Sequence, residues 1–216
     1  MPIRLGLYDF FARTIPGGIS VLAFLYILHR CHLYNLSFAN LSTAETAFFA
    51  ICSYMAGFSI DRLANTLWYR LFQAQTRLHD QTLTAWNERH SGIDIQYQEM
   101  DWYILLSYIK RHSLEMATEV EHFNVTSIML RGSSFGIMVF ALIFAIEFVS
   151  RGFHLKYAVF SVLCMLISII MLREAVKFRK WFYQALYDSV VALIIKPEQL
   201  PIKFKARIEA EVPPID

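Results

Sequence analysis

The sequence predicts an all-α integral membrane protein with four transmembrane helices, several of them extended into a cytoplasmic helical bundle. Four long apolar stretches carry that reading: Ile15–Leu28, Thr46–Ile60, Phe135–Ile146 and Tyr157–Leu172. Composition agrees. The 216-residue chain is 56% hydrophobic and 18% charged, whereas a soluble domain is about 45–50% apolar and about 25% charged. The basic residues are also unevenly placed. Of the 20 Lys and Arg, Arg30, Arg151 and Lys156 fall in two of the intervening segments, and the other 17 lie in the termini and the central segment. By the positive-inside rule both termini and the centre face the cytoplasm. A soluble bundle of long buried helices is the alternative, disfavoured by the purity of the apolar runs.

The first segment, residues 1–14, reads as an interfacial helix with Leu7, Phe10 and Phe11 toward lipid. Pro16-Gly17 then opens the first span, because proline tolerates the first turn of a helix. No small-x-small cleavage site follows Gly18–Leu28, so the expectation is an uncleaved membrane helix. Residues 15–61 hold the first two spans. Each uninterrupted run is shorter than the roughly 17–25 residues that cross a bilayer, so flanking side chains must complete it. His29 and Arg30, Asp61 and Arg62, Glu147, and Arg173 stand at the expected ends. Asp61 and Arg62 read as interface anchors.

Residues 62–131 read as a cytoplasmic helical hairpin. Leu63, Leu67, Leu71, Ala74, Leu78 and Ala85 continue a helical stripe that Gly92 and the polar run Asp94–Glu99 end. A second helix is predicted from an N-cap at Asp101 through Ile109, Met116, Val120 and Phe123 into the third span, interrupted at most near Gly132. Residues 132–173 carry the third and fourth spans. Residues 174–216 extend the fourth helix to about Ile195, before Pro197 and a loose tail with one short strand at Ile202–Ile208.

Cys31, Cys52 and Cys164 are odd in number and unpaired in spacing, so no disulfide framework is expected. Asn35, Asn40 and Asn124 open glycosylation triplets, but the charge rule puts Asn124 on the cytoplasmic side. No Gly-rich phosphate loop, HExxH, GxSxG or CxxC occurs. The expectation is a protein that is not an enzyme, takes no cofactor and, with a net charge of +2, makes no direct contact with nucleic acid.

Three groups of residues remain as candidates. His112, Glu115, Glu119 and His122 recur at i, i+3, i+7 and i+10, within roughly an 80° sector of one helix. Glu119-x-x-His122 is the step used by helix-bundle di-metal sites, but it occurs once where such sites need it twice. A solvated cytoplasmic face is the simpler reading. Gly132, Ser133, Ser134 and Gly136 form a small-residue seam suited to close helix packing, within or between subunits. Glu147, ending an apolar run, is either paired with Arg151 one turn later or a pore-lining carboxylate at the mouth of an oligomeric cation channel.

The opening Tyr8-Asp9-Phe10-Phe11-Ala12-Arg13-Thr14-Ile15-Pro16-Gly17 resembles that of small four-span bacterial inner-membrane proteins associated with antiphage defence systems. Tyr54-Met55-Ala56-Gly57, and Glu121-His122-Phe123 leading to Arg131, are similar to that group as well. The resemblance covers the four spans. It implies an oligomeric effector that perturbs the inner membrane, with a soluble defence protein acting on its cytoplasmic helices. A non-conducting anchor or scaffold that recruits a soluble partner is the competing expectation. The lipid bilayer is the partner common to both.

Overall fold

The computed structural model describes residues 3–33, 42–72, 74–90 and 102–194. Among them are six helices: α1 (Ile3–Arg30), α2 (Thr43–Phe72), α3 (Ala74–Arg89), α4 (Trp102–His112), α5 (Leu114–Ser150) and α6 (Leu155–Ile194). No strand occurs among the described residues. The cap expected at Asp101, the break at Gly92 with its polar run, and the tail strand at Ile202–Ile208 lie outside them. The chain divides into two compact units, Met1–Ala74 with His122–Arg179, and Gln75–Glu121 with Lys180–Asp216.

In the first unit α1 and α2 cross where glycine removes every side-chain atom between their backbones. A Cβ on Gly17 would lie 1.7 Å from the carbonyl oxygen of Ser53, and one on Gly57 would lie 2.1 Å from that of Arg13. Each helix thus offers a glycine to the backbone of the other, four residues from the carbonyl it offers in return. Phe10 stacks on Tyr54 at 5.3 Å, and the Arg13 guanidinium sits 4.1 Å above the Phe58 ring.

On α5, Gly132 and Gly136 face α1. Added Cβ atoms would meet Pro16 Cβ at 2.9 Å and Ile19 Cγ2 at 2.8 Å. The small-residue seam is therefore an intrachain contact, with Ser133 and Ser134 buried beside it.

The α5–α6 contact runs on a seven-residue register. Ser127 Oγ donates to the Ala175 carbonyl at 2.9 Å, Ser134 Oγ to that of Ser168 at 2.8 Å, and Ser161 Oγ to that of Ala141 at 2.8 Å. Ser168 Oγ donates back to the Ser134 carbonyl at 3.0 Å. The paired residues step by seven up one helix and down the other, so the helices are antiparallel. Serine and alanine at every step let them approach closely, as small residues do between membrane helices. The opposite face of α6 is exposed and apolar, including Val159, Phe160, Val162, Leu163, Leu166 and Ile170.

Among the described residues, three stretches are long and apolar enough to cross a membrane: Phe10–Arg30, Leu114–Ser150 and Leu155–Leu193. The sequence led us to expect four. The helix that falls short is α2, because Glu45, Asp61 and Arg62 bracket a run that Ser53, Tyr54 and Ser59 dilute. Two expected boundaries also moved. There is no separate interfacial helix before Pro16: α1 is continuous, with Pro16 inside it. Proline's fixed φ is helical, so α1 continues through Pro16 at the cost of the hydrogen bond that its missing N–H would have given to the Ala12 carbonyl. The expected continuous helix from residue 101 into the third span breaks at Ser113, not near Gly132. The Ser113 hydroxyl accepts the Met116 N–H at 3.4 Å and so caps α5.

The second unit has its own core, made by Leu78, Trp86, Ile109, Ala117, Val120, Phe182, Tyr183, Leu186, Tyr187 and Val190. Trp86 Nε1 donates to Asp188 Oδ1 at 2.6 Å, and its indole stacks on His90 at 4.1 Å. His79 is buried with its ring edge-on to Tyr183 at 5.2 Å. Aromatic rings dominate this core, whereas small residues line the helix contacts of the first unit.

Candidate functional site

A buried ion pair dominates the first unit. Glu147 is 8% exposed, and Arg30 Nε lies 2.6 Å from its Oε1 while Arg30 Nη2 donates to its Oε2 at 3.2 Å. The two contacts form a planar fork that fits guanidinium to carboxylate. Tyr26 Oη donates to Glu147 Oε2 at 3.0 Å and accepts from Arg30 Nε at 3.2 Å. Tyr157 Oη accepts from Arg30 Nη2 at 3.0 Å. Tyr26 and Arg30 reach the carboxylate together because they are one helical turn apart on α1.

The sequence suggested Arg151 as the partner of Glu147. That is corrected: Arg30 takes the carboxylate, and Arg151 Nη1 instead reaches Tyr157 Oη at 3.5 Å. The reason is the end of α5, where Gly152 and Phe153 both have positive φ, 76° and 62°. The Phe153 N–H bonds the Phe148 carbonyl at 3.0 Å and their rings pack edge-to-face at 5.1 Å, a Schellman closure with its apolar contact. Arg151 therefore belongs to the turn. α1 ends the same way, with His32 at φ 58° and the Leu33 N–H on the Leu28 carbonyl at 3.0 Å.

A second charged bridge joins α2 and α5. Arg131 Nη2 donates to Asp61 Oδ1 at 2.7 Å and Nη1 to Asn65 Oδ1 at 2.8 Å, the two acceptors lying one turn apart. Asp61 had been read as an interface anchor, without this partner. Further along, Arg179 Nη1 donates to Asn124 Oδ1 at 2.5 Å.

The four-residue face of the central segment is not one face. His112 closes α4, whereas Glu115, Glu119 and His122 lie on α5 beyond the Ser113 break. All four are exposed. His112 Nδ1 is 2.9 Å from the Tyr108 carbonyl, and its ring packs on that of Tyr108 at 4.3 Å. Among the described residues no three His, Cys, Asp or Glu side chains stand close enough to hold a metal ion. Cys31, Cys52 and Cys164 are free thiols.

The residues that sequence reasoning missed are Tyr26, Arg30 and Tyr157. A signal was present in the i, i+4 spacing of Tyr26 and Arg30 at the end of an apolar run, but nothing in the sequence fixes which carboxylate they meet. Chemically, the cluster sets one guanidinium against one carboxylate and surrounds the pair with two phenol hydroxyls. No protein-family model, curated protein or solved structure matches the chain.

Proposed function

We propose that the protein is an anchor or scaffold of the bacterial inner membrane, which crosses the bilayer four times and recruits a soluble partner through its extramembrane helices. The Arg30–Glu147 fork carries this reading. A cation pore of the kind built from acidic rings presents its carboxylates to water, whereas Glu147 is buried and both its oxygens are held within the chain. Charge in an apolar span needs a partner, and here the partner is Arg30 of the same chain.

Two observations support α2 as the fourth span. The Gly17 and Gly57 seams fasten it to α1 along its apolar part, and Asp61, at its end, is neutralised by Arg131. Together with four spans, the 17-to-3 distribution of basic residues supports a topology with both termini and the second unit in the cytoplasm. Cysteines introduced at Phe38 and Phe153, but not at Ile95 or Ala210, should then react with an impermeant reagent applied to intact cells. Labelling at Ile95 would overturn the topology.

For the recruiting surface, α4 exposes Tyr103, Ile104 and Tyr108 beside Lys110 and Arg111. A photocrosslinking residue at Ile104 should capture a soluble protein in cells, while one at Val159 on α6 should capture lipid. Cation flux through proteoliposomes of the purified protein, with a selectivity that Glu147→Gln changes, would sink the scaffold reading.

The second reading is an oligomeric effector acting in antiphage defence. It is favoured by the exposed stripe Phe48, Ile51, Met55 and Phe58 on α2, spaced three, four and three residues like the seam of a paired helix. A membrane-embedded oligomer that Ile51→Asn and Met55→Asn abolish would support it.

A further inference from the structure

The turn between α5 and α6 gathers positive charge that no carboxylate among the described residues pairs with. Arg151 and Lys156 both converge on Tyr157: the Arg151 guanidinium carbon is 5.9 Å and Lys156 Nζ 5.0 Å from the ring centroid. Among the described residues neither is in ion-pairing range of a carboxylate. The one buried carboxylate nearby, Glu147, is occupied by Arg30. α6, a 40-residue helix, begins at Leu155, so the positive end of its dipole adds to the same spot.

Around these cations the surface is apolar. Phe153 is 68% exposed and Leu155 75%, with Ile146 and Val149 also outward on α5. The Schellman closure and the Phe148 contact hold Phe153 in place rather than leaving it to swing inward. An inorganic anion would use the cations and leave the apolar collar bare. An anionic phospholipid uses both: its phosphate meets Arg151 and Lys156, and its acyl chains lie against Phe153 and Leu155.

We infer that the α5–α6 turn is a binding site for the phosphate headgroup of an anionic phospholipid. The site rests on the membrane reading of the chain. Full-length protein in nanodiscs containing equal amounts of phosphatidylglycerol and phosphatidylcholine is the assay, with the lipid retained at highest activation read by native mass spectrometry. A photoreactive phosphatidylglycerol headgroup should crosslink to the peptide carrying residues 151–157. Wild type should retain phosphatidylglycerol preferentially, and Arg151→Gln with Lys156→Gln should cut that preference about thirty-fold, since each cation near an anionic surface contributes about five-fold. Both side chains are exposed, so the variant should keep its helical circular dichroism. No preference in wild type, a preference unchanged in the variant, or crosslinks only elsewhere would overturn the site. Displacement of the lipid by excess inorganic phosphate would overturn the lipid in favour of a free anion. Extraction of the protein by alkaline carbonate would refute the membrane reading itself, a result distinct from all of these.

Discussion

Replacing Gly17 with alanine tests the α1–α2 crossing at its tightest point. The new Cβ would stand 1.7 Å from the Ser53 carbonyl oxygen, 2.7 Å from the Gly57 nitrogen and 2.8 Å from the Ser53 carbonyl carbon. All three are backbone atoms of a helix and cannot rotate away. A carbon–oxygen contact needs about 3.3 Å or more, so the helices must part locally by more than an ångström. That separation also opens the reciprocal contact at Gly57 and Arg13, and a gap of that size forfeits about half the dispersion energy of the atoms lining it. Overpacking of this kind costs about 1–3 kcal/mol, and the upper end applies where no side chain can yield. For a chain of this size a loss of about 3 kcal/mol lowers the melting temperature by roughly 6–12 °C. Gly18 supplies the control: its Cβ would meet only the Ser53 side chain, Oγ at 3.5 Å and Cβ at 3.8 Å, and alanine there adds up to about 1 kcal/mol of helix propensity. Thermal unfolding in detergent, followed by tryptophan fluorescence, should show Gly17→Ala melting well below wild type and Gly18→Ala at or above it. Equal melting temperatures for the two variants would refute the crossing.

Three further outcomes are expected. Arg30→Met should destabilise the protein by about 3–5 kcal/mol by stranding Glu147, and adding Glu147→Met should recover most of that loss; additive losses in the double variant would show that the two do not interact. Gly152→Ala meets no atom within 4 Å, yet its φ of 76° should make the substitution cost about 1–2 kcal/mol, measured by the same melting assay. At the start of α2, the Glu45 carboxylate accepts from the Ser42 N–H at 2.8 Å and its hydroxyl at 2.9 Å, and these bonds, the backbone one first, hold its pKa below the usual carboxylate range. Because the folded pKa is the lower one, the capping contribution is complete above the unfolded carboxylate pKa and is lost as pH falls through the folded value. The protection of amides in the first turn of α2, taken relative to the intrinsic exchange rate at each pH, should therefore fall in acid, and Glu45→Gln should remove that pH dependence of protection.

The helices were legible where one physical cause dominates. The apolar runs mark the cores of α1, α5 and α6, while the helix end expected near Ile195 lies outside the described residues. Where two causes compete, the sequence misled. Pro16 suggested a helix start, but close packing against α2 and α5 keeps α1 continuous through it. The pattern from Ile109 to Phe123 reads as one helix because its apolar spacing survives the Ser113 break. The Arg30–Glu147 pair joins residues 117 positions apart, and no local pattern encodes such a meeting. The α5–α6 register was present all along as Ser127, Ser134 and Ala141 against Ser161, Ser168 and Ala175. It stays invisible until the two helices are set antiparallel.

That register also limits how the two helices can move. Every hydroxyl along the seam is matched to a carbonyl at seven-residue intervals, so a slide of one turn would break all of these bonds together. A slide of a whole heptad, about 10 Å along the axis, would restore two of the three steps, setting Ser127 against Ser168 and Ser134 against Ser161 but Ala141 against His154. The pair therefore behaves as a detent with widely spaced notches. Piston-like motion of α6 against α5 is blocked, and any movement passed along these helices must travel as a tilt or rotation of both together.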